Sequence, residues 1–134
     1  MKHLKELAEL KRVEKERVWI EVSRKDLLKV CERLRHEYGV IRVISISGHD
    51  TGEAIEVIYH MELGHGILNL KTELSRRTNI VESITQVFPS ANLFERELAE
   101  MFGITIADHP NLKRLFLPPE IDSPLRKKKR RKKK

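Results

Sequence analysis

The chain's 134 residues suffice for one domain with a modest core and are too few for two independent ones. The formal charge is +7, yet Arg126–Lys134 are all Lys or Arg and carry nine positive charges, so the rest of the chain stands at −2. Attraction to polyanions is therefore a property of the tail alone, and the single cysteine, Cys31, excludes both an intramolecular disulfide and a cysteine-held cluster.

No apolar run approaches the roughly 20 residues that span a bilayer, and the charged N-terminus lacks the apolar core of a signal peptide. The expectation is a soluble or peripheral protein. The abundance of Lys, Glu and Arg is the composition expected of a thermophilic source.

In residues 1–17, Leu4, Leu7 and Leu10 stand at near-helical spacing among dense charges, which predicts a helical arm with a thin apolar stripe. Val18–Val22 is a short β-prone run. Ser23 stands three residues before Asp26 as a capping-box-like helix start, and Leu27, Cys31, Leu34 and Tyr38 then share one helical face that Gly39 closes. β-Branched residues dominate Val40–Ser47, and Gly48–Gly52 supplies a turn. The clearest strand follows, with Ile55, Val57, Tyr59 and Met61 alternating with Glu56, Ile58, His60 and Glu62. Gly64-His65-Gly66 turns into a strand over Ile67–Leu74, completing a three-stranded meander.

Past the basic link Ser75–Asn79 the period becomes helical, predicting a short helix over Ile80–Val87 that stops before Phe88-Pro89. Asn92 and Glu95 read as a capping pair for a helix running to Phe102, with Phe94, Leu98, Met101 and Phe102 on its buried side and Gly103 just past its end. Three prolines among Leu115–Leu125 favour an extended strap.

The segment from Phe88 to Ile104 contains Glu95, Arg96, Glu97, Glu100, Met101 and Phe102, and it is followed at fixed spacing by His109, Pro110, Lys113 and Arg114. That ordered pattern resembles the diagnostic segment of the 30 kDa subunit family of respiratory NADH dehydrogenase. Glu82–Thr85 resembles the short helix that precedes it in the family, and Ser123–Lys127 the family's closing motif. The likeness runs from about Val18 to Lys127. Leu93-Phe94 where an aromatic pair is usual and Ser123 where histidine is usual depart from the mitochondrial branch of the family, whereas Leu117–Glu120 and the short overall length resemble the branch found in energy-converting nickel-iron hydrogenases and related archaeal complexes.

The resemblance implies a structural subunit of a peripheral arm, on the cytoplasmic side of a membrane. It would bind no cofactor, dock on the large nickel-iron or quinone-site subunit, and sit beside an iron-sulfur small subunit, with clusters and catalysis in those partners. The interface residues it implies are Glu95, Arg96, Glu97, Glu100, His109, Lys113 and Arg114.

The residues themselves support no competing chemistry. His60 and His65 flank a turn, but no third zinc ligand is evident, and Gly64-His65-Gly66 lacks the spacing and strand-to-helix context of a phosphate loop. Glu95, Glu97 and Glu100 raise the question of acid-base or relay work. Yet Glu95 lies about 160° around the helix from Glu97, so the expected role is pairing with Arg96, Lys113, Arg114 or a partner chain. His109-Pro110 with Lys113 and Arg114 fits either an anionic partner or a turn that fixes the strap. For Arg126–Lys134 the readings are solvated disorder, attraction to anionic lipid, or a nucleic-acid arm. The last supplies the alternative function, a nucleic-acid-binding protein acting through its tail, although no aromatic side chains interleave with the charges.

The sequence thus predicts an α+β fold: a mixed or antiparallel sheet with helices packed on one face and an extended C-terminal strap. It divides into an arm (1–17), a domain (18–125) and a basic tail (126–134). The apolar face of Ile55, Val57, Tyr59 and Met61 is expected to meet Leu27, Cys31 and Leu34.

Overall fold

Alternation along Ala54–Leu63 organises the whole molecule. In the computed structural model, which describes residues 8–14, 17–64 and 66–110 with side chains from Arg17 onward, this segment is a central strand. Its residues Ile55, Val57, Tyr59 and Met61 are fully buried, while Glu56, Ile58, His60 and Glu62 on the other face stay partly exposed. A period of two places side chains on opposite faces, so one face became core and the other surface.

The elements in chain order are β1 (Ala8–Glu14), β2 (Arg17–Val22), a 3-10 turn (Arg24–Asp26), α1 (Leu27–Glu37), β3 (Val40–Asp50), β4 (Ala54–Leu63), β5 (Gly66–Ser75), β6 (Ile80–Glu82), α2 (Ala91–Phe102) and β7 (Thr105–Ala107). The first five strands form one mixed sheet in the order β1-β2-β5-β4-β3. β3, β4 and β5 are the expected antiparallel meander, and β2 pairs parallel to β5. Because β2 and β3 are separated in the sheet by β5 and β4, the connecting α1 must cross the sheet. Its face of Leu27, Val30, Cys31 and Leu34 joins Ile55, Val57, Tyr59, Met61, Leu68 and Leu70 in a single core. This is the meeting predicted from the sequence, with Val30 added. Gly39, at φ 72, supplies the left-handed residue that ends α1.

α2 lies along the edge strand β3. At one end the Ser90 hydroxyl bonds the backbone N–H and carbonyl of Val43, at 3.2 Å each. At the other, Gly48 admits Phe102 and Leu98 so closely that a Cβ would stand 2.5 Å from the Phe102 ring. β3 carries irregularities between Val40 and Arg42 and between Val43 and Ser45, and Ile41 and Ile44 fall in these gaps and are exposed.

Three local expectations are corrected. Ala8–Glu14 is a strand antiparallel to β2, not part of a helical arm. A thin leucine stripe stabilises a helix weakly, whereas the edge of β2 offers hydrogen-bond partners to alternate residues of the strand. Residues 1–7 of the predicted arm lie outside the described residues. Ile80–Glu82 is a strand, and only a turn follows it, with Val87 and Phe88 N–H both donating to the Ile84 carbonyl. β6 pairs parallel with β7, which the local periodicity of so short a run could not reveal. Finally, α2 opens at Ser90 and Ala91, and neither Asn92 nor Glu95 caps it. The predicted strap and the basic tail (126–134) lie outside the described residues.

Candidate functional site

β6, α2 and β7 form a compact βαβ unit. Parallel strands joined by a helix bring the C-terminal ends of both strands to the first turns of that helix. Ser83 and Ile84 follow β6, Asp108 and His109 follow β7, and Asn92 and Glu95 stand on α2. Asn79 fastens the opposite end, its side-chain amide donating to the Gly103 carbonyl at 2.8 Å. Asp108 at φ 60 turns the chain back so that His109 reaches α2, a conformation short polar residues tolerate.

At this convergence Glu95 is 1% exposed. The Ser83 hydroxyl donates to one carboxylate oxygen at 2.7 Å and the Ile84 N–H to the other at 2.8 Å. Since the Ser83 proton is committed to Glu95, the Thr85 hydroxyl, 2.7 Å away, donates to Ser83, as does the Thr85 N–H at 3.1 Å. His109 Nε2 lies 3.7 Å from Glu95, closed to solvent, and donates to the Asn92 carbonyl at 3.1 Å. Burial raises the Glu95 carboxyl to about 7, against the two hydrogen bonds, which favour the charged form. Its charge acts in turn on the buried core around it. Desolvation, then Glu95, then Glu32 push the Cys31 thiol upward, and desolvation, Glu95 and Cys31 do the same to the Tyr59 hydroxyl.

The structure therefore divides the seven interface residues. Glu95 and His109 meet inside the domain as a fastening between α2, the turn after β6 and the exit from β7. Glu100 is also buried, at 6% exposure, whereas Arg96 is partly buried and Glu97 is exposed. The carboxylates do not gather, as the helical angle required. Lys113 and Arg114 lie outside the described residues. Sequence reasoning missed Ser83, which it placed in a helix, and the buried tyrosine Tyr59 as a polar neighbour. No spacing pattern signals a hydroxyl that meets a carboxylate twelve residues later. Among the described residues, no group of three His, Cys, Asp or Glu side chains is placed to hold a metal.

The fold and this fastening define a small α+β module whose motif residues are split between an interior lock and outward-facing charge. The chain belongs to the respiratory-chain NADH dehydrogenase 30 kDa subunit family, which it matches across residues 20–134. It is 37% identical over 105 residues to a subunit of the F(420)H(2) dehydrogenase of Methanosarcina mazei, covering 74% of this chain and 66% of that protein. It is also 37% identical over 125 residues to a subunit of the NADH-quinone oxidoreductase of Cronobacter sakazakii, covering 82% of this chain but 20% of that much longer protein. Among solved structures, a chain of the membrane-bound sulfane sulfur reductase, an archaeal respiratory membrane complex, superposes with a TM-score of 0.72 at 19% identity, over 92% of this chain and 75% of that one. A trypsin-resistant fragment of Nqo5 gives 0.68 at 18% identity, over 78% of this chain and 89% of the fragment. At these identities the structural likeness is one of fold.

Proposed function

We propose that this chain is a non-catalytic structural subunit of the hydrophilic arm of a complex I-like, membrane-bound oxidoreductase of the dehydrogenase or energy-converting hydrogenase type. It docks on the large nickel-iron or quinone-site subunit, beside an iron-sulfur small subunit, on the cytoplasmic side of the membrane. The clusters and the catalytic centre belong to those partners.

The observation that carries this reading is the division of the motif. Glu95 and His109 are consumed in an interior fastening, while Glu97 and part of Arg96 face outward from the same helix. A buried, hydrogen-bonded carboxylate holds α2 rigid, and a rigid helix presents its outer charges in one geometry. Arg supplies a planar fork suited to a carboxylate across a joint. The family and the relatives' names support assembly into a larger complex. No helix among the described residues is long and apolar enough to cross a membrane, which fits attachment through partners. The tail then adds attraction to anionic headgroups.

The test is affinity purification of the tagged chain from gently solubilised membranes, with co-purifying proteins identified and metals assayed. A large nickel-iron or quinone-site subunit arriving with iron-sulfur partners is the expected result. Recovery of nucleic acid alone, abolished by removing Arg126–Lys134, would overturn the reading in favour of a nucleic-acid arm.

A further inference from the structure

The face of the five-stranded sheet turned away from the helices carries His60, whose partner in the zinc pair weighed from the sequence, His65, lies outside the described residues. It occupies the middle of β4 and is held from both sides. Its Nε2 lies 2.7 Å from the Ser47 hydroxyl on β3, and its Nδ1 lies 2.6 Å from the side-chain carbonyl of Asn69 on β5. Asn69 is 4% exposed and stands in register with Trp19 on β2, whereas Ser47 is open to solvent.

A carbonyl oxygen against Nδ1 requires the proton there. In the neutral imidazole Nε2 is then the lone-pair nitrogen and accepts from the serine. A hydroxyl, a base within hydrogen-bond reach and a third group that orients the base form the arrangement that activates a serine. All three side chains project from adjacent paired strands, which hold them more firmly than loops would. The charged groups facing His60 are engaged with one another. Lys71 lies 3.2 Å from both Glu21 and Glu56, His49 lies 3.4 Å from Glu56, and Arg42 lies 2.8 Å from Glu62.

We propose that Ser47 is an activated nucleophile toward small acyl esters and phosphonyl electrophiles, with His60 as its general base and Asn69 as the positioning residue. In acyl transfer the Ser47 oxygen bonds the ester carbonyl carbon as its proton passes to His60 Nε2. The carbon–oxygen bond to the alcohol breaks, and the alcohol leaves with that proton. Water, deprotonated by His60, then attacks the acyl-serine and restores Ser47, so the sum is ester plus water giving acid plus alcohol. With a fluorophosphonate, the Ser47 oxygen–phosphorus bond forms, fluoride leaves, and the reaction stops there. The site is an open sheet surface, so its selectivity is low. Its acceleration is that of a general base, on the order of 100-fold or more over a lone serine. The proposal is independent of the docking role and lies outside the parent complex's reaction, in which the chain remains a structural subunit.

The experiment uses the full-length chain, a fluorophosphonate probe and p-nitrophenyl acetate, with the modified peptide located by mass spectrometry. Labelling at Ser47 is expected, absent in Ser47→Ala and slowed about 100-fold in His60→Gln, each with an unchanged melting temperature. Asn69→Ala should slow labelling, and Asn69→Asp should restore it with the pH profile moved upward, because a carboxylate beside Nδ1 favours protonated imidazole. No labelling in the wild-type chain, or equal labelling in His60→Gln, overturns the proposal. Failure of Asn69→Asp to restore what Asn69→Ala loses removes Asn69 from it.

Discussion

The Glu95 carboxylate and the His109 ring stand 3.7 Å apart with both side chains closed to solvent, although fourteen positions separate them in the chain. The contact ties the first half of α2 to the point where the chain leaves β7. It sits in a core that also contains Tyr59 and Cys31, so the ionisation of Glu95 affects the domain as a whole.

Stability should therefore depend on pH through Glu95. Burial raises its carboxyl from the usual 4.5 to about 7, so the folded chain binds this proton more tightly than the unfolded chain. The contribution is complete below pH about 4.5 and is lost as pH rises through about 7, to a limit of about 3 kcal/mol. Urea denaturation between pH 5 and 8 should show the midpoint falling, and Glu95→Gln should flatten that slope. A Gln variant with the same slope as wild type would assign the dependence to another group.

Tyr59 is fully buried, and its hydroxyl has no hydrogen-bond partner among the protein groups described. Removing a buried polar atom that makes no bond sacrifices nothing in the folded state. Tyr59→Phe is expected to be neutral or stabilising by up to about 1 kcal/mol, read as a rise in denaturation midpoint at constant m. A loss exceeding about 1 kcal/mol would mean that the hydroxyl does have a partner.

Gly48 is the point of closest approach between β3 and α2. A methyl group there would stand 2.5 Å from the Phe102 ring and 2.9 Å from Leu98. Gly48→Ala should destabilise by about 1–3 kcal/mol. Combined with Phe102→Leu the losses should be less than additive, because the shorter side chain vacates the space.

Glu97 offers the cleanest test of docking, since it is exposed on the helix that carries the lock. Glu97→Lys should leave the melting temperature of the isolated chain unchanged. It should reduce recovery of the large subunit roughly fivefold, the size of effect expected for one exposed charge worth about 1 kcal/mol. Undiminished recovery would move the interface to another face.

The elements that were legible before the structure were those whose period is long and unambiguous. β4 could be read residue by residue and the inner face of α1 in all but Val30, because eight alternating positions or three helical turns define which side is apolar. The family segment was legible because its residues occur in a fixed order over more than twenty positions. The sequence also settled that Glu95 and Glu97 must part company, since helical geometry alone separates them.

What the sequence could not determine were the outcomes of long-range competition. Whether Ala8–Glu14 becomes helix or strand depends on β2 having an unfilled edge, and whether Ile80–Glu82 pairs depends on β7, more than twenty residues later. Ser83, Glu95 and His109 meet only because a βαβ unit delivers two strand ends to one helix. Ser47, His60 and Asn69 align only because three strands pair in one register. Local periodicity reports the face a side chain takes, but the partner it meets there depends on chain topology, which tertiary packing alone decides.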